Sequence, residues 1–232
     1  MENFELTDLM IDRARGALLA SAAGDALGVP YEFAKATDDP QMIGGGLGPY
    51  EPGEWSDDTQ MAICIGLVAD SGVRLTSDAA HDEIGQNFIN WMHDGATDIG
   101  IQTRAVISRA AKMEGDVSDR LRHAAREFSA STDRAAGNGS LMRIAPIGIS
   151  FLWDRDLTAE AAKDIASLTH DDREVDESCV LWAEAMRVAV VEGVLDIRVG
   201  LDLLLEDSRD KWAGLIDDAD KGIVTPRTNG YT

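Results

Sequence analysis

Residues 56–68 read Ser-Asp-Asp-Thr-Gln-Met-Ala-Ile-Cys-Ile-Gly-Leu-Val, and this stretch decides the fold class. It opens with hydroxyl and carboxylate side chains, which favour the start of a helix, and continues with a run that is apolar on most sides. A helix that is apolar all round has to be covered by other elements. We therefore predict a central, buried helix that runs to about Asp70.

Segments with helical periodicity precede and follow this central helix. The first runs from about Asp8 to Leu27, with Thr7 as its N-cap, and Gly28 and Pro30 end it. The later segments are Asp78–His93, Thr103–Met113, Ser118–Ser129, Leu141–Phe151, a helix capped by Thr158 that runs to Leu168, Arg173–Glu192, Ile197–Leu205 and Arg209–Asp220.

These segments predict an all-α protein. No alternation typical of a strand is longer than four residues, and the sequence contains no repeat. The helical segments differ in length and connection, which favours crossed helices over a regular bundle. We expect residues 1–232 to form one compact domain, because 232 residues suffice to bury a large core.

The charge balance restricts the partners of the protein. Lys and Arg number 21 and Asp and Glu number 42, so the formal net charge is −21. Such a surface repels phosphate backbones and anionic membranes, so we predict neither nucleic acid nor a membrane as partner. Apolar runs of membrane-spanning length and a secretory leader pattern are both missing from the sequence. We predict a soluble cytoplasmic protein in which Cys64 and Cys179 are buried and free.

Two adjacent carboxylates, Asp57 and Asp58, begin the central helix. They have an ordinary interpretation as acids that complement the helix dipole. The second interpretation is a metal site, because a buried carboxylate pair is costly unless it is paired or bound to a cation. Hard oxygen ligands of this kind suit Mg²⁺ or Mn²⁺.

The segment Gly24–Phe33 contains two further acids. We interpret Asp25, between two glycines, as a buried structural acid. Glu32 lies between two aromatic residues, where a raised pKa suits a general acid or base. A surface glutamate in a turn is the alternative interpretation of Glu32.

The segment Gly137-Asn-Gly-Ser-Leu-Met-Arg143 exposes successive backbone N–H groups before a helix. Such a loop can hold a phosphate or diphosphate, although the same residues also form plain turns. In so acidic a protein an anionic ligand needs these N–H groups, Arg143 or a metal. His170 has an ordinary interpretation at a helix end, and we predict His81, His93 and His123 at the surface.

Four motifs occur in a fixed order: residues 24–33, residues 53–61 (Gly-Glu-Trp-Ser-Asp-Asp-Thr-Gln-Met), residues 137–143 and Thr169-His170. Together they resemble the ADP-ribosylglycohydrolase family, which includes the dinitrogenase reductase-activating glycohydrolases. Each motif alone is modest, but four in register form a specific signal. The resemblance implies a compact all-α domain with a binuclear Mg²⁺ or Mn²⁺ centre at the base of an ADP-ribose cleft.

The resemblance also implies roles for the matching residues. Ser56, Asp57 and Asp58 resemble metal ligands, and Glu32 resembles an acid that faces the metal centre and takes part in catalysis with the two aspartates. Asp98 resembles an acid that senses the guanidinium group of arginine-linked substrates. The other substrate-binding positions are a loop that holds the diphosphate or ribose and a histidine that lines the cleft, namely Gly137, Asn138, Gly139, Ser140 and His170.

One motif of the family is missing from this sequence. The family carries a second acidic motif, Asp-x-Asp-Thr after a pair of glycines, which completes its metal site. Residues 217–220, Asp-Asp-Ala-Asp, lack the glycines and the threonine and are typical of a helix end, and residues 225–232 resemble the family's lead into its next helix. We therefore expect a C-terminally truncated domain without the second set of metal ligands.

The resemblance implies a metal-dependent hydrolase that removes ADP-ribose from a modified protein, with arginine as the favoured linkage. Serine-linked ADP-ribose and O-acetyl-ADP-ribose are alternative substrates. A catalytically impaired ADP-ribose-binding protein and an immunity-type protein that blocks a partner are the alternatives outside the enzyme class.

Overall fold

A computed structural model of the chain describes residues 4–34 and 37–223. Residues 225–232, which resemble the family's lead into its next helix, lie outside the described part. Within that part there is no strand, and only an isolated bridge joins Gly45 and Tyr50. The predicted all-α class is confirmed. The helices are α1 (Asp8–Gly28), α2 (Asp57–Asp70), α3 (Asp78–His93), α4 (Ile101–Ala110), α5 (Val117–Ala130), α6 (Ala145–Gly148), α7 (Arg155–Ala166), α8 (Arg173–Glu192) and α9 (Glu206–Asp220).

Helix α2 has the central position that its apolar sequence predicts. It packs against α1, α3 and α6, and the side chains of Met61, Ile65 and Val68 are fully buried. The prediction of burial on all sides is wrong for one face, because Ile63 and Leu67 are 44% and 62% exposed. Their face of α2 borders an open groove.

Two predicted helices are shorter and tighter than the sequence suggests. The segment Leu141–Phe151 forms a 3-10 turn, Leu141–Arg143, followed by the four-residue α6. Proline lacks a backbone N–H and is accommodated in the first turn of a helix, so Pro146 favours a new start there. The segment after α8 is likewise a 3-10 helix, Ile197–Leu203.

The start of α7 lies earlier than predicted. Asp154, and not Thr158, is the N-cap, because its carboxylate accepts hydrogen bonds from the N–H groups of Asp156 and Leu157. The hydroxyl of Thr158 bonds back to the carbonyl of Asp154 inside the helix. Threonine makes such internal bonds as readily as caps, so sequence alone does not separate the two.

The irregular segment between α1 and α2 is held against the helices by close backbone contacts. Gly46 has φ +75°, and a Cβ added there would lie 2.2 Å from the carbonyl oxygen of Val29. Only glycine allows this approach. The contact supports the 3-10 turn Val29–Tyr31, which leads directly to Glu32.

Both thiols are buried and free, as predicted: Cys64 is 8% and Cys179 0% exposed. In the described ranges, the helices include none with the length and apolar character needed to cross a lipid bilayer.

Candidate active site

Asp25 joins the end of α1 to the start of α2. Its carboxylate accepts hydrogen bonds from the N–H and hydroxyl of Ser56, at 3.0 and 2.6 Å, and from the N–H and hydroxyl of Thr59, at 3.0 and 2.6 Å. Ser56 is the N-cap residue but makes no capping bond with its own side chain. Asp25 therefore caps α2 from another helix, in agreement with its interpretation as a structural acid.

The capped end of α2 holds Asp57 and Asp58 in a strongly negative environment. Burial and the neighbouring charges of Asp58, Asp98 and Glu32 raise the pKa of Asp57 to about 8. Burial, Asp25 and Asp98 raise the pKa of Asp58 to about 6, although a hydrogen bond with Ser56 opposes this shift. Asp57 is 8% exposed. The two carboxylates are thus held together at a cost that a cation would relieve.

Glu32 and Asp98 complete the acidic cluster. Glu32 is an exposed residue in a turn, as its alternative interpretation expected, but partial burial of its carboxyl group, the charges of Asp98, Asp58 and Asp25, and a hydrogen bond with Asp98 raise its pKa to about 7. Asp98 lies just before α4, far from Glu32 in the sequence. A carboxyl group that titrates near neutral pH can both accept and donate a proton, as general acid–base catalysis requires.

A pocket of about 370 Å³ opens beside this cluster. It lies between the end of α1, the turn that follows α1, and the start of α2. Its acidic lining is Asp25, Glu32 and Asp58, and its other lining residues include Gly24, Gly28, Tyr31 and Met142. Met142 lies two residues after Ser140, the last residue of the predicted anion-binding loop.

The loop Gly137–Ser140 packs on two elements at once. A Cβ added to Gly139 would lie 2.9 Å from the hydroxyl of Thr103 and 3.0 Å from Cε1 of His170. The N–H of Met142 bonds to the carbonyl of Asn138 at 3.0 Å, which closes the turn. Gly139 therefore permits a close approach that another residue would prevent.

His170 supports this loop from below. It is 1% exposed, and its Nδ1 lies 2.9 Å from the hydroxyl of Ser140 and 2.8 Å from the hydroxyl of Thr169. Burial and the charge of Arg143 lower the pKa of His170 to about 3, so its ring is neutral at neutral pH. The structure places the ring beneath the loop and not on the surface of the cleft, and its part in substrate binding stays a prediction.

Comparison with known families gives a match over most of the chain. The family model described as ADP-ribosylglycohydrolase matches residues 6–228, which is nearly the whole chain. The chain belongs to the ADP-ribosylglycohydrolase family. Its acidic cluster and its glycine loop both lie within the residues that this family model matches.

Several relatives have informative names. Two proteins named ADP-ribosylarginine hydrolase Tri1 are each 32% identical to the chain. The match to the protein of Pseudomonas putida (strain GB-1) covers 78% of this chain and 47% of that protein. The match to the protein of Serratia proteamaculans (strain 568) covers 60% of this chain and 37% of that protein. The ADP-ribosyl-[dinitrogen reductase] glycohydrolase of Rhodospirillum rubrum is 29% identical over 73% of this chain and 55% of its own. The chain thus spans about half the length of the curated relatives it matches.

A solved structure has the same fold. The chain of an ADP-ribosylglycohydrolase-related protein complex is 29% identical and superposes with a TM-score of 0.61. The match covers 79% of the present chain and 58% of that one. The fold prediction made from the four sequence motifs is confirmed by this likeness.

The side chains of the acidic cluster are of the type that binds a divalent cation. Ser56, Asp57 and Asp58 present a hydroxyl and two carboxylates, the oxygen ligands that Mg²⁺ and Mn²⁺ prefer. The neighbours that shift the pKa values of both aspartates are mainly other carboxylates, so the negative charge is uncompensated. In residues 4–34 and 37–223 no three His, Cys, Asp or Glu side chains form a group that could hold a metal ion. Mg²⁺ usually keeps several of its water ligands, so a site with only a few protein ligands can bind it.

Two sequence predictions outside the acidic cluster are wrong. Arg143 is not available to an anionic ligand, because it is fully buried with its guanidinium group 4.4 Å from the ring centroid of Phe88 and 2.7 Å from the hydroxyl of Thr169. His81 is not a surface residue, since it is 3% exposed and its Nε2 lies 2.9 Å from the carbonyl of Leu75.

Three residues of the site were not singled out in the sequence. Thr59 bonds to Asp25, Thr103 supports Gly139, and Met142 lines the acidic pocket. Thr59 lies within the Ser-Asp-Asp-Thr motif and could have been recognised as part of it. Met142 likewise lies within the motif of residues 137–143, whereas Thr103 has no distinctive local pattern, because its importance comes from contacts with residues far away in the sequence.

Proposed function

We propose that the chain supplies the ADP-ribose cleft and the acid–base groups of a hydrolase that removes ADP-ribose from arginine side chains. The observation that carries the proposal is the group of acids Glu32, Asp57, Asp58 and Asp98, whose charges act on one another beside a glycine loop. The names of the relatives from Pseudomonas, Serratia and Rhodospirillum support ADP-ribosyl-arginine as the substrate class.

Glu32 is the proposed acid–base residue. The reaction breaks the bond between ribose C1 and the arginine nitrogen and forms a bond from C1 to a water oxygen. Glu32, with a pKa of about 7, accepts a proton from that water or relays one to the leaving guanidine. Positive charge develops on the sugar in an oxocarbenium-like transition state, as in other glycoside hydrolyses, and the surrounding carboxylates stabilise it.

Ser56, Asp57 and Asp58 are the proposed ligands of Mg²⁺ or Mn²⁺. Bound there, the cation supplies Lewis acidity and orients the ribose hydroxyls and water. Asp25 serves this set indirectly, since it holds the Ser56 hydroxyl and the first turn of α2 in place.

The loop Gly137–Ser140 is the proposed site for the diphosphate. Its backbone N–H groups are suited to an anion in a protein whose net charge is −21. His170 bonds to Ser140 and Thr169 in the protein interior, and these bonds fix the position of the loop.

Asp98 is the proposed basis of the preference for arginine. It lies beside Glu32 and within reach of its carboxyl group. An ionised carboxylate at this position attracts the guanidinium group of an arginine-linked substrate, whereas serine-linked ADP-ribose carries no such charge.

We test the function by release of ADP-ribose from an ADP-ribosyl-arginine peptide, with MnCl₂, with MgCl₂ and with EDTA. We expect cation-dependent release by the unaltered chain and a loss of about 100-fold or more in Asp57→Asn. The matched control is Asp218→Asn, which alters an exposed acid on α9 and should leave turnover unchanged.

Other outcomes contradict parts of the proposal. Equal turnover in EDTA would contradict the proposed dependence on a cation. Faster release from a serine-linked peptide would contradict the proposed preference for arginine. Binding of ADP-ribose in calorimetry without release of product under any condition identifies an ADP-ribose-binding protein instead of a hydrolase.

A further inference from the structure

Arg143 is a fully buried cation, and no carboxylate in the described part of the chain pairs with it. Its Nη2 donates hydrogen bonds to the hydroxyl of Thr169 at 2.7 Å and to the carbonyl of Ile165 at 3.3 Å, and its Nη1 lies 3.8 Å from the sulfur of Met61. The Nε–H has no acceptor there. Burial lowers the pKa of Arg143 to about 10, so the guanidinium group is charged at neutral pH. A buried charge without a counter-ion is costly, and an apolar side chain of similar size would fill the same space.

A line of hydrogen bonds runs from this cation to the loop Gly137–Ser140. The hydroxyl of Thr169, which accepts from Arg143, lies 2.8 Å from Nδ1 of His170. The same Nδ1 lies 2.9 Å from the hydroxyl of Ser140, the last residue of the loop. The guanidinium group is therefore connected to the loop through one hydroxyl and one imidazole ring.

The directions of these bonds determine which nitrogen of His170 carries the proton. Arginine only donates, so the oxygen of Thr169 accepts from Arg143 and its own proton needs another acceptor. Among the described residues, the one bond left to that hydroxyl is the bond with Nδ1. Ser140 has a second acceptor, the carbonyl of Ala166 at 3.2 Å. Both buried hydroxyls are satisfied when Nδ1 accepts from Thr169, and this arrangement places the proton of the neutral ring on Nε2.

Nε2 of His170 lies next to the glycines of the loop. A Cβ built on Gly137 would lie 3.7 Å from Nε2, and a Cβ built on Gly139 would lie 3.3 Å from it. Both hydrogen bonds of the ring to described residues involve Nδ1, so the Nε2–H is not used by them. An anion held by the backbone N–H groups of the loop is favoured by a donor on Nε2 and disfavoured by a lone pair there.

We propose that Arg143 is a positioning residue for this loop, because its buried charge, acting through the hydroxyl of Thr169, holds His170 as the Nε2–H tautomer. The cation polarises the hydroxyl of Thr169 and so strengthens the bond that the hydroxyl donates to Nδ1. Arg143 itself touches no ligand. Its effect on anion binding rests on the proposed function of the loop, whereas its effect on the tautomer of His170 does not.

The competing explanation is that Arg143 only fills space. Its guanidinium group lies 4.4 Å from the ring centroid of Phe88, so the side chain also packs in the core. Arg143→Met keeps an unbranched side chain at this position and removes the charge. If packing were the whole role of Arg143, neither the tautomer of His170 nor the affinity of the loop for an anion would change in this variant.

The tautomer is measured by nitrogen NMR spectroscopy of the histidine rings in the full chain, and the signals of His170 are assigned through their loss in His170→Gln. In the unaltered chain we expect a single neutral form with the proton on Nε2. Thr169→Val removes the hydroxyl and Arg143→Met removes the charge, so each should give a mixture of the two tautomers. Thr169→Ser keeps a hydroxyl and should keep the single form. Arg126→Met, at an exposed position on α5, is the matched control for loss of a positive charge.

ADP-ribose is the probe for the effect on the loop. Calorimetry with the full chain and MgCl₂ gives both the affinity and the number of sites. We expect Thr169→Val and Arg143→Met to weaken binding about tenfold with the number of sites unchanged, which is the effect of one lost hydrogen bond. Damage to the fold would instead lower the number of sites and leave the affinity of the remaining sites unchanged. Thr169→Ser and Arg126→Met should bind like the unaltered chain.

Three results overturn the proposal. The first is an Nδ1–H tautomer of His170 in the unaltered chain. The second is an Nε2–H form that persists alone in Arg143→Met or in Thr169→Val. The third is a mixture of tautomers in these variants with unchanged affinity for ADP-ribose.

Two features keep the test decisive. If Arg143→Met does not fold, the comparison of Thr169→Val with Thr169→Ser decides the outcome, because these two variants differ in the hydroxyl and keep the buried charge. Absence of ADP-ribose binding by the unaltered chain contradicts the proposed function, and the tautomers of His170 then decide the role of Arg143 by themselves.

Discussion

Asp25 is a residue whose role depends on a helix other than its own. It belongs to α1, yet its carboxylate satisfies the N–H groups of Ser56 and Thr59 at the start of α2. The acids beside it repel one another, so the site needs this support to keep its shape. At the residue scale, the position of the acidic cluster is set by hydrogen bonds that neither helix could make alone.

We expect Asp25→Ala to lower the free energy of unfolding by about 2 kcal/mol, because it leaves buried donors at the start of α2 without acceptors. Urea denaturation followed by circular dichroism measures the change. The matched control is Thr7→Ala, which removes a local cap from α1 and should cost about 1 kcal/mol or less. A smaller loss in Asp25→Ala than in Thr7→Ala would contradict the bridging role.

Asp176 provides a pH-dependent test away from the proposed ligands. Burial and the charges of Asp171 and Asp172 raise its pKa from 3.8 to about 7, and its Oδ1 makes no hydrogen bond. Between these two pH values the folded chain holds a proton that the unfolded chain has lost. The contribution of Asp176 to stability therefore falls as pH rises through this window.

Asp176→Asn should remove the loss of stability that the ionisation of Asp176 causes as pH rises. We expect the variant to be more stable than the unaltered chain at pH 8, by an amount on the order of 1 kcal/mol, and no more stable at pH 4. Urea unfolding at the two pH values gives the comparison. Asp133→Asn, at an exposed position, controls for the lower net charge, and an equal gain in both variants would show that Asp176 has no special role.

At the scale of elements, local signals define some helices completely and others poorly. Helix α8 begins and ends where the sequence predicts, because Asp172 caps its first turn and Gly193, with φ +78°, ends it. The segment Leu141–Phe151 has apolar residues at suitable positions but contains Pro146, and tertiary contacts convert it into short turns. Capping residues thus locate both ends of α8, whereas the predicted cap Thr158 misplaces the start of α7.

Gly16 and Gly148 give opposite predictions for the same substitution. Gly16→Ala should stabilise the free chain by up to about 1 kcal/mol, because alanine favours a helix and the site is open. Gly148→Ala should destabilise it, since the new Cβ would lie 2.9 Å from the carbonyl oxygen of Ala183. Thermal unfolding of both variants is the measurement. A loss of stability in Gly16→Ala would indicate that α1 has a neighbour that the structure does not show.

At the scale of the whole molecule, the formal net charge is −21, and one of the acids that contribute to it, Asp57, is buried in the acidic cluster. Salt screens exposed charges over about 10 Å at 0.1 M, but it reaches buried groups much less. A divalent cation that binds the cluster should therefore act differently from the same ionic strength of a monovalent salt.

MnCl₂ at 100 times its dissociation constant should stabilise the chain by about 2.7 kcal/mol, because the cation binds the folded state alone. We expect a clear rise in the unfolding temperature with MnCl₂ and a much smaller rise in Asp57→Asn. NaCl of equal ionic strength should raise both equally. If NaCl reproduces the whole effect of MnCl₂, the cluster does not hold a cation.

The sequence by itself determined the helical class, most helix positions, the acidic pair at the start of α2 and the family resemblance, because these depend on short patterns and on local capping. Only the tertiary structure decided which helix caps α2, how far each carboxyl pKa is raised, and that His170 and Arg143 are buried while α1 is exposed. These properties depend on burial and on charges from distant parts of the chain, which adjacent residues do not encode. For that reason the sequence predicted that Asp57 belongs to an acidic pair at the start of a helix, whereas the distant charges that raise its pKa could not be predicted.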